Sequence, residues 1–258
     1  YSAHHRAWQV KTGAIHDFRI RGDMESLLRN KMAEEQDVDR SLLNLIACLD
    51  GNADYDTLKA ITKIDVGLLS ENLDKLVKSA IIVSHLSGDK TSFLFLHDII
   101  FKLVQNNLSR DEKEALHYEI AATLQADRSI DIESKDSFIV SHLIRAPKEM
   151  VRRDAQRWIG VLYETGLREL QMASIDAALC ILSLCVDILT HCARADSSMF
   201  MNAHLALAEC LCLTRQDDAY MKITGMLEQE AKDSGQLILI KRRQLFFSHY
   251  RREHKKVL

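Results

Sequence analysis

The chain is poor in the residues that interrupt helices. It holds one proline, Pro147, and nine glycines in 258 residues. That scarcity fits long helices with few breaks and excludes collagen-like or low-complexity architectures. Glycine-rich signatures of catalysis are missing as well. The sequence contains no G-x-x-x-x-G-K-[ST] loop to cradle phosphate, no G-x-G-x-x-G, no H-E-x-x-H, no G-x-S-x-G and no paired C-x-x-C. No apolar run approaches the roughly 20 residues of a membrane helix, and no signal peptide is seen. Net charge is only −3, so composition gives no general case for nucleic acid or an anionic membrane as partner.

What is present is the composition of a globular protein, 47% hydrophobic and 28% charged. Six cysteines occur, Cys48, Cys180, Cys185, Cys192, Cys210 and Cys212. Five lie in apolar helical patterns, and they read as reduced core residues of a cytoplasmic protein. Metal ligation is not expected: Cys180, Cys185 and Cys192 are poorly spaced, and Cys210 and Cys212 point to different helix faces. The first residue is Tyr1 and the last, Leu258, falls in an apparent helix, which suggests a piece of a longer chain.

The chain reads in three parts: a lead-in over 1–22, a module over 23–125, and a helical region over 136–258. In the lead-in, Trp8, Val10, Ile15, Phe18 and Ile20 look like anchors of an extended segment. His4 and His5 are adjacent and diverge, so they are not expected to hold a metal. Asp23 is placed to cap a first helix, with Leu27, Leu28 and Met32 on one face, and Asp39 to cap a second. In that second helix Leu42, Leu45, Ile46 and Leu49 recur as one buried stripe, which Asp50-Gly51-Asn52 stops. Asp54 or Asp56 starts a third helix. Asp65 caps a fourth, which turns Leu69, Leu73, Leu76 and Val77 inward.

The helical texture then breaks. Ile81–Val83 and Phe93–Phe95 are β-branched or aromatic runs, and Gly88-Asp89-Lys90 between them supplies a turn. Short helices followed by a two-stranded hairpin are the pattern of a winged helix, with 65–79 in the recognition-helix position. That segment carries Asp65, Glu71 and Asp74 against Lys75 and Lys78, a net of −1, which argues against phosphate contact. A protein-interaction or intramolecular role is expected instead. His97-Asp98 opens the next helix. Adjacent residues do not converge on one substrate atom, so the pair is read as a helix start rather than a catalytic dyad. Ser109 and Glu112 form a capping box for a helix bearing Leu116, Ile120 and Leu124.

A polar connector, 126–135, leads to helices expected at 136–145 (closed by Pro147), 149–171, 174–192, 198–214, 217–233 and 235–252. Ser174-Ile175-Asp176-Ala177-Ala178 and Gln216-Asp217-Asp218-Ala219-Tyr220 begin helices alike, with Asp176 and Asp218 42 residues apart. This predicts a divergent, tetratricopeptide-like helical-repeat array. The tail 241–258 has seven Lys or Arg and one Glu, +6 in all. It reads as the next repeat helix with its partner cut away, with a calmodulin-type or membrane-surface helix as the alternative.

These features together resemble the region downstream of the nucleotide-binding domain in large STAND-type signalling ATPases. In those proteins an AAA-like ATPase is fused to kinase-like, helical-repeat and histidine-kinase domains. Trp8, then Ala47-Cys48-Leu49-Asp50-Gly51-Asn52 with Tyr55 and Leu58, are similar to the family's lead-in tryptophan and A-C-L-G-N helix end. Phe93, Phe95 and His97-Asp98, then Leu108, Glu112-Lys113, His117, Ile120-Ala121 and Leu124, resemble its F-x-F-x-H-D wing and following helix; His142-Leu143 resembles its later H-L-N. The likeness covers about 8–230 and is densest over 93–124.

The resemblance implies a mainly α fold and a non-catalytic, cytoplasmic segment with no cofactor of its own. ATP would belong to the parent protein. The implied partners are intramolecular ATPase and output domains, with a protein or peptide on the helical-repeat face. No catalytic, cofactor or metal residue is expected. A DNA-binding winged-helix regulator and a stand-alone repeat scaffold are the alternatives.

Overall fold

The computed structural model describes residues 37–127, 135–191 and 197–254. The expected helix from Asp23, the lead-in and Cys192 lie outside them. The chain is mainly helical, with twelve helices and one small antiparallel sheet among the described residues. It divides into two compact units between Lys113 and Glu114.

The first unit contains α1 (Asp37–Cys48), β1 (Asn52–Asp54), α2 (Tyr55–Thr62), α3 (Val66–Lys78), β2 (Ile82–Ser87), β3 (Lys90–Phe95) and α4 (Asp98–Asn107). Helix α1 buries the predicted stripe of Leu42, Leu45, Ile46 and Leu49. It begins two residues before Asp39, so that aspartate is not its cap. Its carboxylate, 1% exposed, instead accepts from Lys75 Nζ on α3. Asp50 and Gly51 end the helix at φ +57° and +81°. A Cβ on Gly51 would also stand 3.3 Å from the Phe101 ring, so backbone freedom and close approach favour glycine there together.

Two of the expected caps form. Asp54 caps α2 by accepting from Thr57 N–H at 2.8 Å. Asp65 caps α3 by accepting from the N–H groups of Gly67 and Leu68 at 2.9 and 3.3 Å. Leu69, Leu73 and Leu76 are buried, each contributing roughly 1.5–3 kcal/mol; Val77 is half-buried. The hairpin is longer than its apolar runs suggest, because the polar residues flanking the turn pair too, Ser87 opposite Lys90. Gly88 at φ +59° supplies the left-handed residue of that two-residue turn. β1 pairs with β3, Ala53 opposite Phe93, in the order β1-β3-β2.

Helix α5 (Arg110–Ala126) contains the division between the units. It opens on the predicted box: Ser109 N–H and Oγ donate to Glu112 Oε2 at 2.8 and 2.7 Å, and Glu112 N–H donates back to Ser109 Oγ at 3.3 Å. The Ser109 bonds hold the Glu112 carboxyl below its ordinary range. Ile120 and Leu124 are buried, while Leu116 is half-buried.

The second unit continues with α6 (Lys135–Arg145), α7 (Lys148–Arg153), α8 (Ala155–Gln171), α9 (Ile175–His191), α10 (Ser197–Leu213), α11 (Asp217–Glu230) and α12 (Ser234–His254). The single helix expected over 149–171 is two, broken at Asp154. Tyr118, 36 residues earlier, takes that carboxylate as its hydroxyl acceptor.

Shifting α8 by 42 residues reproduces the bounds of α10, and the start of α9 falls on the start of α11. The turns correspond too. Ala173 and Arg215 stand at φ +61° and +60°. Ser174 N–H donates to Glu169 O and Gln216 N–H to Leu211 O, both at 2.9 Å. Ala173 N–H donates to Leu170 O and Arg215 N–H to Cys212 O, both at 3.1 Å. These are Schellman helix ends without the usual glycine. Gly166 on α8 corresponds to Ala208 on α10, and a small residue at this position lets helices approach closely. Helix α10 packs against α9 and α11 and is buried on most of its surface.

Candidate functional site

Among the described residues four places carry polar chemistry: the exposed face of α3, a hollow beside the hairpin turn, a histidine pair in the second unit, and a bolt of polar contacts around Asp154.

On α3, Val66 and Leu68 are each 47% exposed, and Glu71, Asp74 and Lys78 are exposed. Lys75, the helix's other cation, is committed to Asp39. The exposed surface therefore carries two acids and one further cation, Lys78, with two apolar side chains at the helix start. A helix that reads a DNA groove needs the opposite.

The hollow has a volume of about 290 Å³ and is lined by Asp54, Tyr55, Asp56, Asp89, Lys90 and Thr91. Three carboxylates against one ammonium repel a phosphate. Asp54 is already engaged as the cap of α2.

His117 on α5 and His142 on α6 are 8% and 1% exposed. Their Nδ1 atoms are 2.8 Å apart, so one ring donates and the other accepts. The edge of Phe138 packs on His142 at 4.8 Å between centroids. Two imidazoles on one tetrahedral zinc keep their nitrogens about 3.3 Å apart, from bonds of ~2.0–2.1 Å. The shorter spacing commits these nitrogens to each other. No group of three or more metal-ligating side chains occurs among the described residues.

Asp154 accepts from the Tyr118 hydroxyl. Burial first, then the Asp154 carboxylate, raises the Tyr118 phenol above its usual range. The same bond lowers Asp154. Trp158 meets Tyr118 edge-on at 6.0 Å, Arg157 lies 4.6 Å over the Trp158 ring, and Arg157 Nη2 donates to Ala122 O. Two residues before Asp154, Arg152 grips Asp187 with two bonds of 2.9 and 2.8 Å. That grip holds the Asp187 carboxyl below its ordinary value. These contacts tie α5, α7, α8 and α9 into one body.

His97 stands at the start of α4 without capping it, and His97 and Asp98 are both exposed. His4 and His5 lie outside the described residues. Cys48, Cys185, Cys210 and Cys212 are buried, as the apolar pattern implies, but Cys180 is exposed. Burial pushes the Cys185 thiol up to about 12 and Cys210 to about 11, which leaves both as unreactive thiols. No helix among the described residues is long and apolar enough to cross a membrane. The histidine pair escaped sequence reading because its members are 25 residues apart, with no spacing rule to join them.

No protein-family model, no curated protein and no solved structure matches this chain significantly.

Proposed function

We propose that the chain is a non-catalytic regulatory segment of a multidomain signalling ATPase or sensor kinase. In this reading a winged-helix module within residues 23–125 passes the nucleotide state of an upstream ATPase domain to a tetratricopeptide-like helical array. The observation that carries it is the α3 face. The order of three helices and a hairpin fits a winged helix, yet the helix in the reading position presents Val66, Leu68, Glu71 and Asp74 with only Lys78 as a further exposed cation beside Lys75. Apolar and acidic side chains suit a protein surface rather than phosphate. The residues that carry the resemblance to the signalling ATPases also do packing work. His117, Ile120, Ala121 and Leu124 are buried, and Glu112 caps α5.

A second reading, a stand-alone repeat scaffold, draws on the 42-residue correspondence of α8–α9 with α10–α11. Two binding measurements on the purified chain test the non-catalytic reading and the DNA-binding alternative. Titration with Mg-ATP is expected to give no saturable heat, and micromolar ATP binding overturns the non-catalytic reading. A mobility-shift assay with duplex DNA is expected to show no salt-sensitive complex, and such a complex restores the transcription-regulator alternative.

A further inference from the structure

Helix α12 has two faces of different fate. Ile240 and Phe247, seven residues apart, are buried at 0% and 2% exposure. Phe247 meets Tyr220 of α11 edge-on at 5.7 Å. Ion pairs flank this seam. Lys241 reaches Glu228 of α11 at 2.7 Å, and Arg243 reaches Glu209 of α10 at 2.7 Å. Gln244 adds a bond to Glu228 at 2.6 Å. The helix is thus fixed in rotation, and its other face is presented outward by design of the packing.

That outward face is apolar. Ile238, Leu245 and Phe246 are 59%, 69% and 62% exposed, and Leu239 is 40% exposed. At 3.6 residues per turn, Ile238, Arg242, Leu245 and His249 fall along one line, with Leu239 and Phe246 on the flank beside Arg242. The helical spacing therefore places Arg242 between the apolar residues of this face and not at its edge. Residues 234–249 contain no Asp or Glu. Among the described residues Arg242 has no carboxylate partner, unlike its neighbours Lys241 and Arg243.

We infer that this face docks an amphipathic helix of a partner protein that carries a carboxylate in the middle of its apolar stripe. Apolar anchors at i, i+4 and i+7 spacing are how one helix is read by another. A central Arg beside an aromatic ring is the composition of an interface hot spot. The position of Arg242 separates this occupant from a lipid surface. An interfacial helix keeps its cations at the rim, level with the headgroups, whereas Arg242 would sit at the deepest point of insertion. A carboxylate opposite it neutralises the charge within the contact. The inference stands on α12 and its neighbours α10 and α11, and it goes beyond the coupling role of the first unit.

The test uses the full chain and two fluorescent synthetic helices, alike in their leucine stripe but with Glu or Lys at its centre. The Glu peptide is expected to bind saturably below about 100 μM, and Arg242→Glu to weaken it about tenfold or more while creating binding of the Lys peptide. Leu245→Asp should abolish binding of the Glu peptide. Arg242 and Leu245 are outside the packed seam, so circular dichroism of the variants should match the parent; Arg242→Gln provides a milder variant that removes the charge alone and should weaken the Glu peptide. Equal binding of the two peptides, or none by either, overturns the inference. So does sedimentation of the chain with phosphatidylserine-containing vesicles that is lost in Arg242→Glu, because that result assigns the face to a membrane.

Discussion

A Cβ added to Gly166 would stand 2.7 Å from Cγ of Leu182, closer than real Cβ contacts come. Leu182 is fully buried in the core shared by α9 and α10, so it has little room to retreat. Gly166→Ala should therefore destabilise the second unit by about 1–3 kcal/mol, despite the gain in helix propensity. Urea unfolding would register it. Unchanged or greater stability would mean that α8 and α9 cross less closely.

The His117–His142 bond predicts a non-additive pair. His142→Leu should cost about 1–3 kcal/mol, because His117 Nδ1 loses a partner inside the protein. Replacing both by leucine should recover part of the loss. A double-mutant cycle by chemical denaturation measures the coupling; strictly additive costs would mean the two rings do not depend on each other.

His204 on α10 sets a pH response. Burial pushes its imidazole below the ordinary value, against the opposing bond to the Phe200 carbonyl at 2.8 Å. The unfolded chain, titrating near about 6.5, then binds more protons than the folded one just below that pH. The His204 contribution to stability is complete above this value and is lost as pH falls through it. His204→Gln should flatten the decline in melting temperature between about pH 7 and 5 relative to the parent.

Lys75→Met leaves the Asp39 carboxylate buried without this counter-ion, and Asp39 Oδ1 already lacks a bond. Lys75 is itself 45% exposed, so water screens the pair and the cost is reduced to about 1–2 kcal/mol. Asp39→Leu combined with Lys75→Met should restore stability, as thermal melts would show.

Local chemistry made much of the fold readable. The caps Asp54, Asp65 and Ser109–Glu112 depend on residues two or three positions away, and they form as the sequence implies. The hairpin was marked by Gly88, and the helix starts at Ile175 and Asp217 by their matching sequences. Most of the readings that changed turned on distant partners. Asp39 has the chemistry of a cap but is drawn inward by Lys75, 36 residues on. Asp154 interrupts α7 and α8 where Tyr118 reaches it. β1 is only Asn52-Ala53-Asp54, without a β-branched residue, and exists because β3 offers it an edge. The exposure of Cys180 follows from the rotation of α9, which an unbroken apolar stretch does not specify. The charge balance of α3 was legible in the sequence. The arginine-centred stripe of α12 was not, because it required knowing which side Ile240 and Phe247 bury.

The central proposal is that the first unit transmits a nucleotide state. Its most direct test is hydrogen exchange on a polypeptide extended upstream to include the proposed ATPase domain, compared with ATP and with ADP bound. Protection of α3 amides, Val66–Lys78, should differ between the two states and should be altered by Val66→Asp/Leu68→Asp. Identical α3 exchange in the two nucleotide states would contradict the proposal.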